Sequence, residues 1–309
     1  MRILVLGSAA GGGFPQWNCR CGNCERARNG DSEAVPRTQS SLAVTADGRR
    51  WFLLNASPDV RAQISANLPL QPRSGQRDSP IAGVVLTNGD VDHVAGLLSL
   101  REGQPLAIYA TARVHALLRS NSIFNVLNHA QVVRREISLD VPLDLAGPDG
   151  SPTGLRVRAY AVPGKIALYA EDLQAGPDFG TRAGDTVGLE VGAGAPAARF
   201  HYLPGCAAMP PDLAARLKGA ELAFFDGTLW RDDEMIAAGL GAKTGQRMGH
   251  MSVSGEGGSL AAFAPLGVKR KIFIHVNNSN PMILENSAER RAVEAAGWQV
   301  AYDGMSIEL

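Results

Sequence analysis

Residues 81–93 read Ile-Ala-Gly-Val-Val-Leu-Thr-Asn-Gly-Asp-Val-Asp-His, and they change character halfway. The first six are apolar, short in run and β-branched at three positions, which predicts a buried strand over 81–87. A polar turn follows, and then Val94, Leu97, Leu98 and Leu100 recur at helical spacing, so a helix is expected over 92–101. Similar short apolar runs predict strands at 3–6, 42–45, 51–54, 107–109, 155–162, 199–203, 222–225, 271–276 and 299–302. Helices are expected at 211–217, which opens on prolines, and at 286–296. There Asn286 stands three residues before Glu289 in capping-box spacing and Gly297 provides the stop. Strands interleaved with helices in both halves give an α/β layered fold. No internal repeat at a fixed period is visible. The expectation is a single domain over 1–309, with residues 146–188, dense in Gly, Pro and Asp, as a loop or lid over a site.

The composition narrows the function classes. In 309 residues, 30 Lys+Arg balance 30 Asp+Glu, which argues against nucleic acid or an anionic membrane as the main partner. Hydrophobic residues at 45% and charged residues at 19% fit a globular chain. No run approaches the ~20 apolar residues of a membrane-spanning helix. The leading apolar run, 3–6, ends at Gly7 and is shorter than the core of a signal peptide. A cytoplasmic location is therefore expected.

Three constellations carry chemistry. Cys19, Cys21 and Cys24 are too close for a disulfide framework. Thiolates so spaced, with Gly22 and Asn23 suiting a tight turn, can wrap one tetrahedral Zn²⁺ whose fourth ligand comes from far along the chain. Reduced structural cysteines, or a redox Cys-x-x-Cys pair, are the alternatives. Asp90, Asp92 and His93 crowd the corner after the 81–87 strand. Two carboxylates placed together need a cation or a shared proton. An acidic helix start explains either Asp alone, but not both with His93, so a metal site is expected. Asp226, His250 and His275 stand at or near strand ends, where α/β proteins build sites. His115, His129 and His201 are read as ordinary core or surface residues. The cluster Gly7 to Gly13 matches no phosphate-binding fingerprint, and no Gly-x-Ser-x-Gly elbow is present.

Taken together, the layout resembles the metallo-β-lactamase superfamily. The likeness rests on the Gly-rich turn after the first strand, Leu53-Leu54-Asn55-Ala56-Ser57-Pro58-Asp59, residues 87–93, Asp226 and His275. More narrowly, Gly-Gly-Gly-Phe-Pro-Gln-Trp-Asn-Cys at 11–19, residues 87–93, and His-Val-Asn-Asn-Ser-Asn-Pro at 275–281 resemble, across the whole chain, a family of that superfamily that serves pyrroloquinoline quinone (PQQ) biosynthesis. The resemblance implies a four-layer αββα sandwich. Hydrolases of the superfamily hold two zinc ions with His-x-His-x-Asp-His. Here Asn88 and Asp90 replace the two leading histidines, and no later ligand is found near 162–165 or 203–206. One mixed site of Asp90, Asp92, His93 and His275 remains, a donor mixture suited to non-haem Fe(II) that activates O₂. Asn88 and Asp226 are expected to orient ligands or water.

The implied activity is iron-dependent, O₂-using hydroxylation of the tyrosine ring of a Glu–Tyr-derived PQQ precursor. The competing implication is a carrier that helps move PQQ or its precursor to the periplasm. Lys165, Arg182 and Arg61 are candidates to pair with substrate carboxylates. By likeness to a phosphodiesterase of the superfamily, His250 is expected to complete the Cys19, Cys21 and Cys24 zinc site. The resemblance leaves room for other PQQ biosynthesis proteins, or a second copy of this chain, as partners.

Overall fold

The computed structural model describes residues 1–194 and 198–309. Fourteen strands are described: β1 Arg2–Gly7, β2 Ser41–Thr45, β3 Trp51–Leu54, β4 Ile81–Val85, β5 Leu106–Ala110, β6 Val132–Glu136, β7 Leu143–Ala146, β8 Pro152–Ala161, β9 Val187–Ala193, β10 Arg199–Leu203, β11 Leu222–Asp226, β12 Arg270–Ile274, β13 Trp298–Val300 and β14 Ser306–Glu308. They form two seven-stranded sheets, ordered β14-β1-β2-β3-β4-β5-β6 and β13-β12-β11-β10-β9-β8-β7. Strands β3 to β6 run parallel in the first sheet, and β10 to β13 in the second.

Alternation along each strand decides what faces what. Ile3, Val5, Leu42, Val44, Phe52 and Leu54 meet Leu189, Val191, Phe200, Tyr202, Phe224 and Ile272 in the core between the sheets. Leu4, Leu6, Leu53, Val84 and Ile108 face outward and pack on helix residues Val60, Val114 and Leu118. On the other outer face Leu203, Phe225 and Phe273 lie under Leu213, Phe263 and Val293. At about 1.5–3 kcal/mol for each fully buried large apolar side chain, three such layers hold the sheets in one register. The result is the αββα sandwich.

Several boundaries differ from expectation. The chain over 92–101 is α-helical only at Val91–Val94 and tightens to 3₁₀ over Ala95–Leu100. Gly96 there passes so close to the 56–57 backbone that a Cβ would fall 2.2 Å from the Ser57 carbonyl oxygen. The last helix runs over Ala288–Ala295 and is capped by Ser287, whose hydroxyl accepts from the Arg290 N–H. Asn286 instead accepts from Arg26. Much of 146–188 is not loop: β8 occupies ten of its residues. The irregular part is 162–186, broken by a short 3₁₀ turn at Leu168–Ala170.

Candidate functional site

The carboxyl ends of β4, β11 and β12 open on one edge of the sandwich, and the chain leaves each of them carrying a polar side chain. After β4 come Asn88, Asp92 and His93, β11 ends on Asp226, and His275 follows β12 in the left-handed region (φ 60°). Donor atoms of Asp92, His93 and His275 all lie within 4.8 Å of one another. The turn after β1 packs against them: a Cβ on Gly11 would sit 3.3 Å from Asp92 Oδ2, so glycine leaves the carboxylate its room.

Hydrogen bonds fix where each lone pair points. The Asp90 N–H donates to Asn88 Oδ1 at 3.1 Å, which identifies that atom as the amide oxygen. The same oxygen lies 2.7 Å from His93 Nδ1, so Nδ1 carries the proton and Nε2 carries the lone pair. His93 Nε2 is buried and has no hydrogen-bond partner among the described residues. Thr228 Oγ1 donates to Asp226 Oδ1 at 2.6 Å and accepts from His275 Nδ1 at 2.8 Å. His275 Nε2 is thereby turned towards Asp92 Oδ2, 3.0 Å away. A contact that short is favourable only with positive charge at Nε2, a proton or a metal cation in its place.

The electrostatics agree. Burial alone opposes a charge on Asp92, but the His93 and His275 imidazoles outweigh it and hold the carboxyl well below its usual range. Burial also opposes a charge on His275, but the hydrogen bond and charge of Asp92 override it and raise the imidazole above its ordinary range, favouring a proton on Nε2 where no metal cation takes its place. His93 is pushed down to about 4 by burial, which keeps it neutral and suited to ligation.

Asp226 is placed differently. Its Oδ1 accepts from the Thr228 N–H and hydroxyl, and its Oδ2 accepts from the Cys206 N–H at 2.8 Å and from His250 Nδ1 at 2.6 Å. Four donors fill the four lone-pair sites of a carboxylate, so Asp226 orients its neighbours. Asp90 also stands aside: its Oδ1 lies 3.8 Å from Lys165 Nζ and accepts from the Leu168 N–H at 3.4 Å. Of the four residues expected to hold a metal, the structure brings Asp92, His93 and His275 together, while the Asp90 side chain turns to the 162–186 segment.

The thiols form a second cluster, with Cys19, Cys21 and Cys24 donor atoms within 4.8 Å of one another. His250 is not brought to them, which corrects its expected role. The carboxylate of Asp226 captures its Nδ1, and its ring stacks on His275 at 5.2 Å between centroids. The side-chain amide of Asn278 lies over the sulfurs instead, 3.2, 3.6 and 3.4 Å from those of Cys19, Cys21 and Cys24. Asn23 donates to the carbonyls of Asn278 and Ser279 and ties the two loops together. Burial pushes the Cys24 thiol up to about 12.

A cavity of about 570 Å³ opens above the triad, lined among others by Gly11, Asn88, Lys165, Tyr169, Lys243 and Met248. Arg61 and Arg182 are exposed and do not line it. His115 Nε2 donates to the Arg135 carbonyl, His201 pairs with Tyr160, and His129 is exposed. Thr228, Lys243 and Asn278 went unnoticed in the sequence. Asn278 stood within the 275–281 run, three residues from His275, and that proximity was the available signal.

A family model described as the β-lactamase superfamily domain matches residues 50–276, so fold and site belong to that superfamily. The fold is shared with a diphosphatase of the PhnP family, whose crystal structure superposes with a TM-score of 0.68 at 20% identity, over 100% of this chain and 97% of that one. Coenzyme PQQ synthesis protein B of Gluconacetobacter diazotrophicus is 55% identical over 99% of this chain and 98% of its own length. The crystal structure of Zn²⁺-bound PqqB from Methylobacterium extorquens is 51% identical, covers 100% of both chains and superposes with a TM-score of 0.94. The chain belongs to the coenzyme PQQ synthesis protein B family.

Proposed function

We propose that this chain is a non-haem Fe(II) oxygenase of PQQ biosynthesis that hydroxylates the tyrosine ring of a Glu–Tyr-derived precursor. Family membership supports the role in PQQ synthesis. One observation carries the chemistry: two imidazole nitrogens and one carboxylate, from His93, His275 and Asp92, lie within 4.8 Å of one another. Two histidines and one carboxylate with open positions are the donor set of non-haem Fe(II) oxygenases. Bound iron supplies the redox change that O₂ chemistry needs and that Zn²⁺ lacks.

The chain's own residues do the positioning. Asn88 and Thr228 orient the rings of His93 and His275, Asp226 holds Thr228 and His250, and Leu168 and Tyr169, from the 162–186 segment, line the cavity. Tyr169 is anchored by donating its hydroxyl to the Gly89 carbonyl at 2.7 Å. At the other cluster, the three thiolates of Cys19, Cys21 and Cys24 suit a structural Zn²⁺, and the Asn278 amide N–H groups, donating to their sulfurs, support the thiolate charge.

The test is anaerobic loading with Fe(II), addition of a cross-linked Glu–Tyr substrate and ascorbate, then ¹⁸O₂ and mass spectrometry. Each oxygen atom placed on the ring leaves a second one to be reduced to water by two electrons from ascorbate. Label in the ring is the expected result. No label, with tight binding of PQQ by the metal-free protein, favours the carrier.

A further inference from the structure

The cavity has a cationic wall that the metal ligands do not use. Lys165 and Lys243 both line it, from loops after β8 and before the Gly245–Met248 helix. The carboxylate nearest to them, Glu171, is already engaged: Arg247 donates to both of its oxygens, at 2.9 and 2.7 Å. That leaves Lys165 Nζ 3.7 Å from Glu171 and 3.8 Å from Asp90, beyond hydrogen-bonding distance from either. Its one direct bond goes to the Ile166 carbonyl at 3.3 Å. An ammonium carries three donors, so Lys165 is held in place with most of its capacity unspent. Lys243 forms no ion pair among the described residues, although its charge is felt at Glu171. Leu168, Met235 and Met248 add apolar surface to the same lining.

Two ammonium groups on separate loops, in a cavity that also offers apolar side chains, fit a flat aromatic compound with at least two carboxylates. We infer that Lys165 and Lys243 are the specificity-determining residues of this cavity, binding the carboxylates of an aromatic polycarboxylate. The inference rests on the site being one for a PQQ precursor, and it names the groups that read that precursor. It also separates the three basic residues singled out in the sequence: Lys165 faces the ligand, whereas Arg61 and Arg182 do not.

The experiment uses the zinc-loaded full chain and two probes, PQQ and its trimethyl ester, titrated by fluorescence or calorimetry. Lys243→Gln and Lys165→Gln are each expected to weaken PQQ binding about tenfold, and the double variant about a hundredfold, with the salt dependence reduced in step. The ester should bind weakly and be unmoved by either change, and Arg61→Gln should bind PQQ like the parent. Lys165 sits among other charges, so if Lys165→Gln fails to fold, Lys243→Gln, checked by its melting curve, decides alone. No PQQ binding by the parent, equal binding of acid and ester, or an unchanged affinity in Lys243→Gln overturns the inference. Oxygen transfer plays no part in this readout. A parent that discriminates acid from ester yet incorporates no ¹⁸O loses the oxygenase function and keeps the carboxylate site, and the opposite pattern does the reverse.

Discussion

The thiol cluster and the carboxylate–imidazole cluster lie at two ends of one short loop and are built on opposite plans. Cys19, Cys21 and Cys24 come from six consecutive residues, and only Asn278 arrives from afar. Asp92 and His93 instead meet His275 across the mouths of two sheets. The loop 275–280 serves both, with His275 in the triad and Asn278 over the sulfurs, and Asn23 clamps it to the cysteine turn. A local cluster can therefore brace a distant one. The thiol site sets the course of the strand-end loop that carries a triad ligand.

The largest expected effect breaks the brace. Cys21→Ser should lose the zinc and lower the unfolding free energy by on the order of 3–5 kcal/mol, because binding energy at such a site is folding energy. Metal analysis and a thermal melt read both together. His250→Ala should keep its zinc, since His250 belongs to Asp226. Loss of zinc in that variant contradicts the assignment of the two clusters.

The next effect separates the clusters. His93→Ala and His275→Ala should each weaken Fe(II) binding more than about a hundredfold, and Asn88→Ala about tenfold or more through loss of the His93 tautomer. All three should retain the thiol-bound zinc. An Asn88→Ala protein with the parent's iron affinity would remove the hydrogen bond from the account of the site.

A third, smaller effect lies outside both clusters and sharpens any acid titration of them. His201 is buried against Tyr160 and pushed down to about 4 by burial. The unfolded chain takes up this proton near 6.5 and the folded chain only near 4. Stability from His201 is thus fully present above 6.5 and is lost as the pH falls through that window, by on the order of 1 kcal/mol after allowing for relaxation. In the zinc-loaded protein, His201→Phe should flatten the slope of stability against pH between 6.5 and 4. An unchanged slope shows that the acid loss comes from the metal sites alone.

How much was legible in advance follows the same division. Strands with an uninterrupted apolar run, such as β4 and β11, stand out in the sequence because both their faces are buried. Strands β6, β7, β9 and β14 were missed: β6 carries Arg134, Arg135 and Glu136, β9 is interrupted by glycines, and β14 is three residues long. The Cys spacing and the Asp-x-Asp-His run were visible because their donors are neighbours in sequence. Which distant histidine joins which cluster was not, since the answer depends on Asp226 filling its lone pairs with His250 and Thr228. Asp90 was misplaced for a related reason. Period-two geometry puts it on the side of Asp92 only in an extended chain, and a helical turn begins at Val91.

The central claim is that one metal, not two, sits at the triad. His275 is shared between two groupings, Asp92 with His93 and Asp226 with His250, so a dinuclear site is the direct rival. Mössbauer spectroscopy of the full chain, loaded anaerobically with ⁵⁷Fe(II), distinguishes them. Four filled lone-pair sites on Asp226 predict about one iron per chain and a single high-spin ferrous doublet, lost in His93→Ala. Two irons per chain giving two doublets, both lost in His275→Ala, would contradict it.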